Sequence, residues 1–305
     1  MDKRLLIYDA NLDRLEDDRL DKYIASELEE MSRNSVQILI KNNNVLVNGK
    51  VEKANYILKN GDKIEISIED PVESDILPEN IPLDIYYEDN DVIVVNKPDG
   101  MVVHPAVGNT SHTLVNALMY HCKDLSAING VIRAGIVHRI DKDTSGLLVA
   151  CKNDFAHQSL SNQFFNKEVK KIYYAICIGE IPHNLGKIDA PIGRDIQNRQ
   201  MMTVTENGKR AITHFKVIER FKGYTLLEIN LETGRTHQIR VHMKYIGYPL
   251  LGDPIYGPRK VEGSHGQFLH AKVLGFKHPR TGEFIQFESP LPDYFNEKIE
   301  ELKKL

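Results

Sequence analysis

Cysteine is scarce in this sequence, and what there is sits far apart. The three thiols, Cys122, Cys151 and Cys177, form no C-x-x-C pair, which argues against a zinc ribbon or a dithiol redox centre and predicts buried free thiols. No apolar run approaches the ~20 residues that cross a bilayer. The opening MDKRLLIYDA lacks the apolar core of a secretory signal, so a cytoplasmic location is expected. Low-complexity tracts and repeats with a period of roughly 20–50 residues are absent too, which excludes a solenoid. A global basic excess is also missing, since 39 Lys and Arg stand against 43 Asp and Glu. That average conceals a division: residues 1–80 carry 11 basic against 18 acidic side chains, and residues 81–305 carry 28 against 25. The larger part is basic, which keeps nucleic acid open as a partner.

With 305 residues, 41% of them apolar, the chain can bury a sizeable core and suggests two domains. In RLDKYIASELEEM, Leu20, Tyr23, Ile24, Leu28 and Met31 recur at helical spacing. SRNS then offers a cap to a second helix, VQILIKNN. VLVNGKV reads as a hairpin turning on Asn48-Gly49, and Gly61-Asp62 leads into the alternating strand KIEISIE. These segments resemble the S4 RNA-binding domain in their RLD-K, SR, V-VNG and GD-I pattern. The resemblance implies a small α/β RNA-binding unit over residues 14–70, with Arg19, Lys22, Arg33 and Lys41 as candidate RNA contacts. A proline-rich, acidic stretch at 71–82 reads as a linker, and a second domain is expected over 83–305. There, DVIVVN, GLLVAC, KIYYAICIG, THFKVIERF and YTLLEINL look like strands. Helical stretches are expected around 111–121, 154–167 and 236–246, giving an α+β domain with a mixed, largely antiparallel sheet.

Chemistry concentrates in HRIDKDTSG, residues 138–146. An acid in a polar loop commonly just caps a turn, but other segments bear on Asp141. KKIYYAICIG carries Tyr173 on a strand beside Lys170 and Lys171. In LETGRTHQIRVHMKYIG, Thr236 can cap a helix with Ile239, Met243 and Ile246 on one face and Arg240 and Lys244 on another. A guanidinium buried there needs an acid partner, and Asp141 would serve. GDPIYG reads as a glycine- and proline-bounded turn. His138, His237 and His242 lack any H-E-x-x-H pattern, so hydrogen bonding is expected of them rather than metal ligation. VVNKPDG lacks the order of a P-loop.

HRIDKDTSGLLVACK, KKIYYAICIG, TGRTHQIRVH, GDPIYG and FLHA, preceded by VVNKPDGMVVHP, are similar in order and spacing to the RluA family of pseudouridine synthases. With the S4 segment in front, the chain resembles an RluD-type member. The resemblance implies isomerisation of uridine in RNA without cofactor or metal. Asp141 matches the catalytic aspartate, attacking C1′, attacking C6 or removing the 2′-proton. Arg240 matches its basic partner and Ile239 the apolar pocket residue. Tyr173 matches the tyrosine against the uracil ring, and Arg139 the arginine that fills the gap left by a flipped uridine. Ile140 and Ile172 depart from the usual leucine and threonine. Ribosomal RNA of the large subunit is the favoured substrate, with transfer RNA open. Two other readings are an RNA-binding protein without turnover, and a glycosidic hydrolase, which would need a second carboxylate such as Asp143.

Overall fold

A computed structural model of the chain describes residues 3–10, 19–28, 33–69, 76–105, 109–122, 125–126, 128, 134–195, 198, 201–258 and 265–305. It divides into two compact units, Met1–Ser74 and Asp75–Leu305. Among the described residues no helix is long and apolar enough to cross a membrane.

In the smaller unit, two helices, α1 (Leu20–Glu27) and α2 (Arg33–Lys41), accompany a four-stranded antiparallel sheet. Its order is β1 (Lys3–Asp9), β4 (Lys63–Glu69), β2 (Val45–Val47) and β3 (Lys50–Val51). Asn48 (φ 52°) and Gly49 (φ 74°) make the tight turn expected between β2 and β3. Leu20, Tyr23 and Ile24 of α1 pack with Val36 and Ile40 of α2 against Val45, Val47, Ile64 and Ile66 of the sheet. The sequence pattern does not predict strand β1, because KRLLIYD runs three apolar residues together and lacks clean alternation. Its seven residues pair in register with β4, from Lys3 opposite Glu69 to Asp9 opposite Lys63. The expected contributions of Met31 and Ser32 lie outside the described residues.

The larger unit is built on a nine-stranded sheet whose path runs β5 (Asp84–Glu88), β6 (Val92–Lys97), β7 (Ser145–Cys151), β14 (Leu269–Lys277), β8 (Lys170–Ile178), β13 (Tyr224–Leu231), β12 (Ile212–Phe221) and β9 (Leu185–Asp189), with β15 (Phe284–Glu288) also on β14. Every pairing is antiparallel except the short parallel contact of β7 with β14. Strands β6 and β7 are buried on both faces, which explains their continuous apolar runs VIVV and LLVAC. Helices α3 (Leu114–His121), α4 (Asp154–Phe165), α5 (Gln238–Tyr245) and α6 (Asp293–Leu302) flank the sheet, and β10 (Ile192–Arg194) with β11 (Met202–Val204) forms a separate ribbon. All three cysteines are buried free thiols. The cap of α5 differs from expectation: His237, not Thr236, is its N-cap, and it adopts a left-handed conformation at φ 56°.

Two contacts fix the loop that ends in β7. Ser145 and Gly146 pair with His270 and Ala271 in the middle of the sheet. Gly146 sits at φ 116°, and a Cβ there would lie 2.4 Å from the Ala271 carbonyl oxygen. Lys97, buried at the end of β6, donates to the carbonyls of Pro98 (2.7 Å), Met101 (2.8 Å) and Lys142 (3.0 Å). Burial pulls its pKa down to about 7 against the charges of Asp99, Asp143 and Asp141. Gly146→Ala therefore meets both backbone strain and a backbone clash, and is expected to cost about 3 kcal/mol or more. In a unit of this size that lowers Tm by roughly 6 °C or more, which thermal denaturation of the purified full chain measures.

Candidate active site

The 138–144 loop, the start of β8 and the segment from Leu231 to Arg240 surround a cleft of about 630 Å³. Asp141, Tyr173, Ile239, Arg240 and Arg139 all line it. The segments that carry them are distant in sequence and meet here because β7 and β8 flank β14. Tyr173 stands opposite Ala271 of β14, the same residue that pairs with Gly146. The fold brings these five side chains around one cleft.

The charge arrangement is more elaborate than a single pair. Arg240, buried on α5, donates from Nη1 to Asp141 Oδ2 at 3.1 Å. Its stronger bonds go elsewhere: Nε donates to Asp253 Oδ2 at 2.7 Å and Nη2 to Asp253 Oδ1 at 2.9 Å. This bidentate geometry fixes the plane of the guanidinium. Asp253 has a fully buried side chain and also accepts the backbone N–H groups of Ile255 and Tyr256, both at 2.9 Å. Burial pushes its carboxyl up, but the Arg240 bonds and the two amides outweigh that and hold it below its ordinary value. Asp141 is thus a partner of Arg240, as expected, but the fully buried partner is Asp253, which the sequence reading does not name. Asp141 keeps 19% of its side chain exposed, so it is tied down on one side and open to the cleft on the other.

The aspartate also faces His237, whose Nε2 is 4.0 Å from Asp141 Oδ1. His237 Nδ1 lies 2.8 Å from the hydroxyl of Tyr256, and that hydroxyl already accepts the Met202 backbone N–H at 2.9 Å. A buried hydroxyl that accepts from an amide needs an acceptor for its own proton. The assigned tautomer is therefore Tyr256 donating to Nδ1, with the His237 proton on Nε2 directed to Asp141. Burial, opposed by the Asp141 charge, draws His237 below the ordinary imidazole value. Tyr256 also lies under Arg240, with 5.1 Å from the guanidinium carbon to the ring centroid. Tyr173 is buried, and burial with the nearby Asp141 charge raises its hydroxyl pKa, which keeps the phenol neutral. Arg139 is exposed at the mouth and Ile239 is buried in the wall.

The other histidines have structural bonds. His138 accepts the Val149 N–H on Nε2 (3.1 Å) and stacks on Phe164. Burial and the Lys171 charge push its pKa down to about 3. His242 is bonded to Thr213 Oγ1 and the Ala190 carbonyl. Among the described residues, two groups have donor atoms close enough for a metal: Glu88 with His121 and Cys122, and Asp89 with Asp91 and His278. Neither lines the cleft. Glu88 is held by Lys152 and His121, and Asp91 by Arg280.

In the smaller unit, Arg19 is the N-cap residue of α1 and makes a bidentate contact with the buried Asp21, at 3.0 and 3.2 Å. Lys22 is half-buried on α1 and Lys41 is exposed at the end of α2. Arg33 begins α2, and its side chain lies outside the described residues.

Residues 91–245 match the RNA pseudouridylate synthase family, and residues 18–64 match the S4 domain. An uncharacterized RNA pseudouridine synthase of Bacillus subtilis is 60% identical over 287 residues, which are 94% of this chain and 95% of that one. This chain belongs to the RNA pseudouridylate synthase family. Ribosomal large subunit pseudouridine synthase D of Pseudomonas aeruginosa is 44% identical over 91% of this chain and 89% of its own. A solved structure of human RNA pseudouridylate synthase domain containing 1 is similar with a TM-score of 0.58 and 25% identity, covering 74% of this chain and 97% of that one. The chain is thus a pseudouridine synthase, an isomerase acting on RNA, with an S4 domain at its N-terminal side. For this synthase, Asp253→Asn strands the buried guanidinium and is expected to cost ~3–5 kcal/mol. The lowered folded pKa of Asp253 gives stability above the ordinary carboxylate range that disappears as pH falls through it. The difference in Tm between wild type and Asp253→Asn should accordingly be largest near neutrality and shrink towards pH ~3, as melting curves across that range would record.

Proposed function

We propose that this synthase converts uridine to pseudouridine in large-subunit ribosomal RNA, with Asp141 as the catalytic carboxylate, acting as nucleophile or base. The observation that carries this reading is the asymmetric seat of Asp141: one oxygen bonded to a guanidinium that Asp253 holds rigid, the carboxylate otherwise open to the cleft. The choice of RNA rests on relatives named ribosomal large subunit pseudouridine synthase D, 43–47% identical over most of the chain.

The reaction is an isomerisation, so its atoms balance within the substrate. The C1′–N1 bond breaks, the uracil turns, C5 bonds to C1′, the C5 proton leaves and N1 gains one. Positive charge builds at C1′ during cleavage, and an ionised carboxylate beside it lowers that barrier by capture or by electrostatic stabilisation. Arg240 serves as a positioning residue that keeps Asp141 ionised and aimed. Tyr173, a neutral phenol in the wall, offers its ring to the uracil and is placed to assist loss of the C5 proton. Ile239 supplies an apolar surface that keeps water off the detached base. Arg139, exposed at the mouth, takes the space left in the RNA when the uridine leaves its stack, a step that access to both C1′ and C5 requires.

Base hydrolysis is disfavoured by the placement of the other acids. Asp143 packs against Gly266 and does not line the cleft, while Glu232 on the wall is paired with His214 at 2.7 Å. Asp141→Asn keeps volume and hydrogen bonding while removing the anion. It is expected to abolish tritium release from RNA carrying 5-tritiated uridine, with folding and RNA affinity nearly unchanged. Turnover within about tenfold of wild type, roughly 1.4 kcal/mol in the barrier, would remove Asp141 from this role.

We further infer that the S4 domain selects the RNA through few phosphate contacts. Its net acidity supports this, as does the Arg19–Asp21 pair, which takes one expected cation out of play. Deleting residues 1–75 should leave isomerisation of short RNA at high enzyme concentration but reduce preference for structured ribosomal RNA. The lost salt dependence should correspond to roughly two to four counterions, read from binding at several salt concentrations. Unchanged site preference and salt slope after deletion would assign the domain to another partner.

A further inference from the structure

Among the described residues that line the cleft, the cations Arg139, Lys167 and Arg235 are exposed to water, whereas Lys171 is half-buried without an acid partner. Among the described residues that line the cleft, Arg240 is neutralised by Asp141 and Asp253, and Glu232 by His214. The Lys171 ammonium makes no hydrogen bond or ion pair to the described residues. Its stem runs beside Phe164, with Nζ 5.8 Å from the ring centroid, and Nζ lies 4.0 Å from the point a Cβ on Gly234 would occupy. Burial draws its pKa down, with no carboxylate opposing the shift. A half-buried ammonium without an acceptor is costly to keep, and that cost is relieved by an anionic oxygen entering the cleft.

Strand geometry says which oxygen. Lys171 and Tyr173 are two residues apart on β8, so both side chains face the cleft, roughly 6.6 Å apart along the strand. That exceeds the reach across a uracil ring and suits the separation of a base from a phosphate. Beside Lys171, the last turn of α4 carries Phe165, which is 86% exposed yet part of the cleft lining. The chain then turns sharply at Lys167, φ 62°, before entering β8. A large aromatic left in water at the lip of an RNA-modifying cleft, next to an unpaired cation, matches the combination that binds single-stranded nucleic acid: a base stacked on the ring and its phosphate on the charge.

We propose that Phe165 and Lys171 form a subsite for one nucleotide flanking the target uridine, with Lys171 bonding its phosphate and Phe165 stacking its base. This rests on the cleft being the isomerisation site. The subsite would hold the chain beside the flipped uridine and so fix which nucleotide enters, and it would favour RNA whose target lies in an unpaired stretch.

The test couples changes in protein and RNA, measured as binding in an Asp141→Asn background so that no turnover intervenes. Each phosphate near the target is replaced in turn by an uncharged methylphosphonate. At one linkage this should weaken binding to the Lys171 protein by roughly tenfold and leave the Lys171→Met protein unaffected, with a salt slope shallower by roughly 0.7 in the latter. Lys171→Arg should keep the dependence, and Lys171→Gln repeats the test if Met disturbs Phe164. Likewise, an abasic nucleotide at the same position should cost the Phe165 protein roughly tenfold and the Phe165→Ala protein nothing. Equal penalties with and without either side chain at every position overturn the subsite. Conversion of uridine by the protein with Asp141 intact is measured in parallel. Its absence would instead refute the isomerisation reading, so the two failures are distinguishable.

Discussion

The bidentate bond between Arg240 and Asp253 is the constraint on which the cleft depends. A guanidinium has five donors in one plane, and here Asp253 takes two of them from a turn whose backbone amides already hold its carboxylate. The remaining edge faces Asp141. Because the plane is set from behind, the front contact does not have to supply its own rigidity, and Asp141 can stay partly exposed. A lone Arg240–Asp141 pair would face the opposite problem, since the long arginine would have to be ordered by an aspartate that itself remained open to substrate.

Other parts of the larger unit serve the same placement from the other side. Lys97 clasps the carbonyl of Lys142, one residue past Asp141, and Thr144 N–H donates to the Asp141 carbonyl at 3.1 Å. Thr144 Oγ1 accepts from buried Gln267. Gly146 brings the loop into the sheet where a side chain would collide with β14. The backbone of Asp141 is thus fixed by β6, β7 and β14, while its carboxylate is addressed by α5. Tyr256 joins the two halves of the charge network, with its ring below Arg240 and its hydroxyl on His237. His237, whose imidazole faces the aspartate, has a left-handed backbone at φ 56°.

Much of this was legible in the sequence because it lies in short, chemically unusual segments. HRIDKDTSG and GRTHQIR announced Asp141 and Arg240, and the burial argument for a guanidinium near an apolar helix face required an acid. A buried guanidinium has more donors than one partly exposed carboxylate can accept, and that excess calls for a second acid such as Asp253. GDPIYG instead read as a turn, since its glycines and proline dominate local conformation while the task of Asp253 depends on a tertiary neighbour. Strand β1 is not legible because its apolar residues are contiguous, and edge pairing with β4 is not a local property. The cap of α5 is hidden for a similar reason, as Thr236 has the better intrinsic preference but His237 occupies the cap, bonded to Tyr256 and facing Asp141. The Arg19–Asp21 ion pair is likewise set by the folded geometry of α1 and not by composition. The fold class was easier, because LLVAC, VIVV and the alternating later strands keep their periodicity whatever their partners.

The most direct test of this account is a crystal structure of the full chain bound to ribosomal RNA whose target uridine carries fluorine at C5, which blocks the final loss of the C5 proton. The account predicts that nucleotide turned out of its stack and seated in the cleft, its C1′ beside the Asp141 carboxylate, its ring against Tyr173, and the Asp253–Arg240–Asp141 contacts intact. A target nucleotide bound away from Asp141, or a cleft in which Arg240 has left Asp253 to reach the RNA, would contradict it.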